Sequence, residues 1–248
     1  MKDTTDFYEE YWRQREREGR LHILDGMWTH DRITIAVRMI QQTLPETRDI
    51  SVLDIGCGEG ALGEVLKASW GNKLELVGVD ISSTALRHAR NHYDDTICVN
   101  VESQELSHIF KNRHFEYVVC LETLEHLFEP AKLLQQFAVL LKPEGYLIAS
   151  FPNIAWWRYR LDLLQGKFPQ GYVLSHPNEH IQNFTLGSFY ELLKGNGFEP
   201  VMLNGKFALP WIFRPQRFFV QILRRFPSLF GYQLVVLAKA SQNIEGNP

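Results

Sequence analysis

The chain has 248 residues, 45% of them hydrophobic, and its 26 Lys and Arg against 29 Asp and Glu leave a net charge of −3. That length suits one α/β domain with elaborations, and the apolar share is enough for a full core. The charge balance excludes a general attraction to phosphates, so nucleic acid is not an expected partner.

In chain order, Phe7-Tyr8-Glu9-Glu10-Tyr11-Trp12 and the alternating Arg and Glu that follow predict a helix with an aromatic face and a charged face. Such a helix either roofs a ligand site or staples its aromatics onto the core. Residues 50–55 predict a strand that delivers Asp54 into a loop with glycines at 56, 58 and 60, and a helix is predicted from about 61 to 70. The glycines supply positive φ and let backbone amides approach a ligand with no Cβ in the way. The N-terminus of the following helix faces the same point. A second strand over 74–80 ends in Asp80, an acid placed to take both hydroxyls of a ribose. Asp54 discriminates between the ligands that this pair could serve. A pyrophosphate would be repelled by a carboxylate just before the first glycine, whereas the ammonium and sulfonium of S-adenosylmethionine favour one. A dinucleotide-dependent dehydrogenase is therefore the weaker reading, although Gly56-x-Gly58-x-x-Ala61 fits the loose dinucleotide pattern.

Further along, Ser82 or Ser83 caps a helix carrying Ala85, Leu86 and Ala89, and strands are predicted near 96–100, 115–121 and 145–151. Pro130 opens a helix whose Leu133, Leu134, Phe137, Leu140 and Leu141 share one face before Pro143 and Gly145 stop it. The alternation predicts an α/β fold, a Rossmann-like doubly wound parallel sheet with helices on both faces. From Pro152 to Phe184 an aromatic segment with Trp156, Trp157, Tyr159, Phe168 and Tyr172 interrupts it, too long for an ordinary connection and too aromatic for disorder. It reads as a cap over the site. Thr185 starts a helix through Leu192 and Leu193, and 198–207 and 232–240 form a final strand pair. Basic and aromatic residues mix over 211–219 and at Arg224-Arg225-Phe226, where packing on the domain is favoured over peripheral membrane contact.

The residues suited to chemistry follow the fourth strand. Glu122, Glu125 and His126 read as ExxEH, and on a helix those positions share a face, so two carboxylates and an imidazole would converge at the carboxyl edge of the sheet. His126 and His180 are the candidate bases, because imidazole titrates near neutral pH. With His180, the group Glu122, Glu125, His126 and His180 would also make a four-ligand metal site, better suited to Mn, Fe, Co or Zn than to Mg. The alternative, a glutamate that caps a helix and a histidine that lines the pocket with no metal, stays open. Cys57, Cys98 and Cys120 have no framework spacing and read as reduced thiols. The chain shows no apolar signal core at its start and no run of the roughly 18 apolar residues that a membrane span needs, so a cytoplasmic protein is expected. No feature specifies an oligomeric state.

VLDIGCGEG (52–60), VGVD (77–80), FEYVVCLETLEHL (115–127) and LLKPEGYLIASFPN (140–153) occur in this order, and on them the chain resembles the class I S-adenosylmethionine-dependent methyltransferases over roughly residues 30 to 205. Within that superfamily the likeness is mixed. SFPNIAWWRYRLDLLQGKFP (150–169) is similar to the methionine-biosynthesis W-type proteins, whereas LETLEHL and RLHILDGMWTHDRI (20–33) resemble the ubiquinone-biosynthesis O-methyltransferases. The resemblance implies seven strands with the last antiparallel. It divides a single methyltransferase domain into an N-terminal helical cap (1–45), a cofactor-binding core (46–151), a substrate cap (152–184), the rest of the sheet (185–240) and a tail (241–248).

The same resemblance places Asp54, Gly56 and Gly58 beside the methionine part of the cofactor, with Cys57 in the same loop. Asp80 would take the ribose, Ile81 would lie against adenine, and Asn100, Val101 and Glu102 would surround the adenine edge. Leu121 would close over the methionine chain. Arg32 matches an arginine that pairs with the cofactor carboxylate, or it is a solvated helix arginine. ExxEH resembles the metal-binding run of the quinone enzymes and, with a distant histidine, that of the small-RNA 3′-end methyltransferases. The implied activity is O-methylation of a small or medium-sized acceptor, with a divalent metal as an optional aid. The alternative is a cofactor-binding partner protein of the W-type with no methyl transfer of its own.

Overall fold

The computed structural model describes residues 4–19, 26–44, 48–169, 180–207 and 223–241. Its centre is a seven-stranded sheet of β1 (Ile50–Ile55), β2 (Leu74–Asp80), β3 (Asp95–Cys98), β4 (Phe115–Leu121), β5 (Leu141–Pro152), β6 (Phe198–Phe207) and β7 (Gly231–Ala240). The spatial order is β3-β2-β1-β4-β5-β7-β6. Strands β1 to β5 pair in parallel, and β7 runs antiparallel to both β5 and β6. Every residue of β1 is buried, which is why its sequence reads as an apolar run instead of an alternation.

Helices cover both faces, as the alternation predicts. On one face lie α2 (Gly26–Thr43), α3 (Ala61–Trp70) and α4 (Ser83–Ala89), which contribute Ile40, Leu66 and Leu86 to the core after α1 (Thr4–Arg17) has passed outside them. On the other lie α5 (Leu106–Phe110), α6 (Pro130–Leu140) and, beyond α7 (Trp157–Leu164), α8 (Leu186–Gly195), with Phe110, Phe137 and Phe189 buried beneath. Two predicted caps form. The Ser82 hydroxyl accepts from the Ala85 N–H, and Thr185 makes a capping box with Ser188. A short α9 (Pro227–Phe230) precedes β7.

Two strand boundaries differ from the sequence reading. β5 begins at Leu141 because Leu141 pairs with Phe115 and Tyr146 with Tyr117, so Pro143 and Gly145 fall in a bulge within the strand instead of before it. β3 ends at Cys98, which leaves Asn100 in the following turn.

The aromatic insertion is half legible. Trp156 and Tyr159 pack on Tyr232 of β7, and the buried Asn153 amide donates to the carbonyls of Ser228 and Gly231 at 2.9 and 2.6 Å. Phe168 instead stands exposed, and Tyr172 lies outside the described residues, as do 211–219 and the tail beyond 241. Among the described residues no helix is long and apolar enough to cross a membrane.

Candidate active site

β1 is flanked by β2 on one side and β4 on the other, so strand order reverses there and a crevice opens at the carboxyl ends of these strands. Asp54, Asp80 and Leu121 stand at or next to those ends. The loop after β1 takes the left-handed turns that its sequence predicts, with φ of 75° at Gly56 and 54° at Gly58. Their bare faces serve the protein's own side chains, however. A Cβ on Gly56 would lie 2.3 Å from the Thr123 hydroxyl, and one on Gly58 would lie 3.0 Å from the Trp12 ring. The helix α1 therefore roofs the glycine loop, and none of its residues is buried, which favours the roof over a staple.

A latch holds that roof. The Glu9 carboxylate accepts from the hydroxyls of Ser82, Ser83 and Thr84 and from the Thr84 N–H, at the start of α4. Burial raises its pKa, but these hydrogen bonds outweigh burial and hold the carboxyl down at about 2. Glu16 on the same helix pairs with Arg87 and His88.

Asp54 and Asp80 are both sealed from solvent. Asp80 accepts from the N–H groups of Gly58 and Ser82, each at 2.9 Å, so the acid predicted for a ribose also ties the glycine loop to β2. Burial pushes its pKa up against those bonds. Asp54 accepts from the Tyr93 hydroxyl at 2.5 Å. Burial pushes its pKa to about 7, with the Tyr93 bond pulling down and the Asp80 charge adding to the rise. Among the described residues neither acid is in an ion pair. A buried anion pair with no cation fits a positively charged ligand such as the ammonium and sulfonium of S-adenosylmethionine. Cys57 is buried in the same loop, and burial raises its thiol well above the usual range, which keeps it neutral.

The remaining predicted cofactor residues are spread along the rim. Ile81 follows Asp80 and is half-buried, and Leu121 is half-buried against the core. Asn100 uses its side-chain oxygen to accept from the Glu102 N–H, and Glu102 accepts from the Phe128 N–H. Val101, between them, packs partly on the core. The Arg32 charge opposes the burial-driven rise of the Glu125 and Tyr232 pKa values without reversing it, which puts Arg32 toward the second half of the crevice.

That second half departs from the helical reading of ExxEH. After β4, Glu122 takes a left-handed φ of 52°, and only a single 3₁₀ turn over Leu124–His126 follows. Helical i, i+3, i+4 spacing therefore does not apply. Glu122 turns to β5, where its carboxylate accepts from the Ser150 hydroxyl at 2.8 Å. Glu125, His126 and His180 do come together, with one ligand atom of each within 4.8 Å of the others. The chain achieves this by tying the returning segment to the turn, since the N–H groups of Ile181 and Gln182 both donate to the Glu125 carbonyl at 2.9 Å. The two imidazoles meet edge to face at 4.8 Å, and Tyr8 of α1 lies 6.1 Å from His126. Glu125 is fully buried, and among the described residues neither of its carboxylate oxygens has a hydrogen-bond partner. Burial, then the Glu122 charge, drives its pKa well up. One carboxylate and two imidazoles form a donor set that fits a divalent transition ion.

Tyr93, Thr123, Ser150 and Glu9 were not legible as site residues, because each acts through a contact distant in sequence. Only Gly63 and Gly78, glycines inside a helix and a strand, carried a signal that something packs closely there.

A family model described as a methyltransferase domain matches residues 28–203. A ubiquinone biosynthesis O-methyltransferase of Coxiella burnetii (strain Dugway 5J108-111) is 28% identical over 166 residues, 66% of this chain and 66% of that protein, just under two thirds of its length. One of Rickettsia bellii (strain OSU 85-389) is 22% identical over 196 residues, 79% of each. Among solved structures, the magnesium protoporphyrin IX methyltransferase of Synechocystis PCC 6803 with bound S-adenosylhomocysteine superposes with a TM-score of 0.64 at 16% identity, covering 96% of this chain and 98% of that one.

Proposed function

This chain belongs to the methyltransferase family, as a class I S-adenosylmethionine-dependent member, and from that premise we propose that it methylates a hydroxyl of a small or medium-sized acceptor. The observation that carries the proposal is the buried Glu125 carboxyl, without a hydrogen-bond partner among the described residues, beside His126 and His180 at the carboxyl end of the sheet. S-adenosylmethionine, when bound, would supply a methyl group that can pass to the acceptor oxygen with the bonding electron pair left on sulfur. Asp54 faces the ammonium and Asp80 the ribose, while α1 and the segment around His180 exclude water. A hydroxyl acceptor must lose its proton, and the imidazoles of His126 and His180 are the groups able to take it near neutral pH. The relatives named as O-methyltransferases support oxygen over nitrogen or carbon.

The same cluster favours a metal-assisted form of this reaction. Glu125, His126 and His180 would hold the ion, which would lower the pKa of a bound acceptor hydroxyl, and Glu122 would stay with Ser150 outside the ligand set.

Purified protein incubated with labelled S-adenosylmethionine and a panel of phenols, sugars and amino-acid derivatives tests both. Label is expected on hydroxyl acceptors and is expected to be lost in His126→Ala. Label confined to amines or carbon would overturn the O-methylation reading. Titration with Co(II) followed by visible absorption is expected to show a bound ion, lost in Glu125→Gln. No Co(II) spectrum, with a rate unchanged by exhaustive chelation, would remove the metal.

A further inference from the structure

Tyr93 lies between α4 and β3, 39 positions from Asp54, and no motif includes it. Its ring occupies a slot that three glycines leave open. A Cβ on Gly63 would lie 2.4 Å from the ring, one on Gly78 2.9 Å and one on Gly60 3.3 Å. These glycines come from the loop after β1, from α3 and from β2, so three elements converge on one phenol. Gly63 lies in the first turn of α3, so the ring edge sits against the start of that helix. From that slot the phenol donates to one oxygen of the Asp54 carboxylate.

We propose that Tyr93 is a positioning residue for cofactor recognition: its hydroxyl, clamped in the glycine slot, orients the Asp54 carboxylate toward the cofactor ammonium and favours its charged form. The inference rests on the reading that Asp54 faces that ammonium. A neutral donor suits this task better than a cation. Lysine or arginine beside Asp54 would neutralise it and compete with the ligand, whereas a phenol makes ionisation less costly and leaves the positive charge to be supplied by the ligand. The hydroxyl stays protonated, because burial first and the Asp54 charge next push its own pKa well up.

Tyr93→Phe keeps the ring in its slot and removes only the donor. Calorimetry with two ligands then separates positioning from packing. S-adenosylhomocysteine carries the ammonium, and 5′-methylthioadenosine keeps the nucleoside and the sulfur but lacks it. We expect the variant to bind S-adenosylhomocysteine about tenfold more weakly at neutral pH, the scale of one hydrogen bond to a charged group, with the loss narrowing at alkaline pH. Affinity for 5′-methylthioadenosine should be unchanged. Gly63→Ala, which displaces the same ring from its other edge, should give the same ammonium-selective loss and decides the matter should the phenylalanine variant not fold. Equal losses for both ligands, or none for either, overturn the proposal. Unaltered protein that binds neither ligand would instead overturn the reading of Asp54 on which it rests.

Discussion

Asp54 at the end of β1 and Glu125 beyond β4 are both carboxyls sealed from solvent, but only Asp54 is hydrogen-bonded among the described residues. The first belongs to the half of the crevice built from β1, β2 and α4, where Tyr93, Gly58 and Ser82 donate to the buried acids. The second belongs to a half assembled from a 3₁₀ turn and a returning loop, where the acid faces two imidazoles. The contrast teaches that the half we assign to the cofactor is held in place by internal hydrogen bonds before a ligand arrives. The half that we assign to the acceptor instead retains, among the described residues, a buried carboxyl with no hydrogen-bond partner, the kind of cost that functional sites tolerate.

The largest effect expected from breaking this contrast is in turnover. Glu125→Gln should lower kcat by roughly 10²- to 10⁴-fold while leaving S-adenosylhomocysteine affinity and thermal stability near those of the parent. Asp54→Asn should act mainly on affinity. Steady-state kinetics beside calorimetry checks the division, and matched losses of kcat and affinity in both variants would erase the distinction between the halves.

Next in size is a backbone effect confined to the cofactor half. Gly56→Ala meets the Thr123 hydroxyl at 2.3 Å at a φ of 75°, whereas Gly166→Ala has a φ of 71° and nothing within 4 Å. Gly166→Ala should cost about 1 kcal/mol and Gly56→Ala about 2–3 kcal/mol, read from denaturant melts. Equal costs would show that Thr123 yields freely.

A smaller effect is on pH. With the Asp54 carboxyl at about 7, raised above its unfolded value, the folded protein binds the extra proton between roughly pH 4 and 7. Stability without ligand should therefore fall as pH rises through that window. On the proposed role of Asp54, S-adenosylhomocysteine binding needs the charged form, so its affinity should rise toward pH 8, by at most about tenfold per pH unit below the midpoint. Calorimetry in buffers of different ionisation enthalpy should register proton release near pH 6, and a flat profile would mean that Asp54 is already ionised.

The smallest concerns the roof. Glu9→Gln should weaken the seal of α1 on α4 and speed proteolysis within residues 4–19 several-fold, with little change in the global melt. Glu9 is depressed to about 2, so its contribution is full above the ordinary carboxylate range and fades as pH drops from about 4.5 toward 2. Unchanged protection of α1 in hydrogen exchange would place its anchor at Trp12 instead.

The geometry of the β1–β2 half was legible because its determinants are local. Asp54 and the glycines share one strand and one loop, and Asp80 ends the neighbouring strand. The capping residues Ser82 and Thr185 were visible for the same reason, each acting within three residues of itself. The acceptor half was legible in its members but not in its geometry. Spacing alone suggested a helix through ExxEH, and a positive φ at Glu122 was needed to send that carboxylate to Ser150 and keep it out of the cluster.

From its sequence alone, this chain fixed the order of strands and helices, the two strand-end acids and the glycine turns, since periodicity, burial and φ preference act over a few residues. Tertiary structure decided which side chains fill the bare faces of the glycines, which acid acquires a donor and which of the two glutamates joins His126 and His180. Those outcomes depend on contacts between segments tens of residues apart, whose closure is driven by core packing as a whole and leaves no local trace.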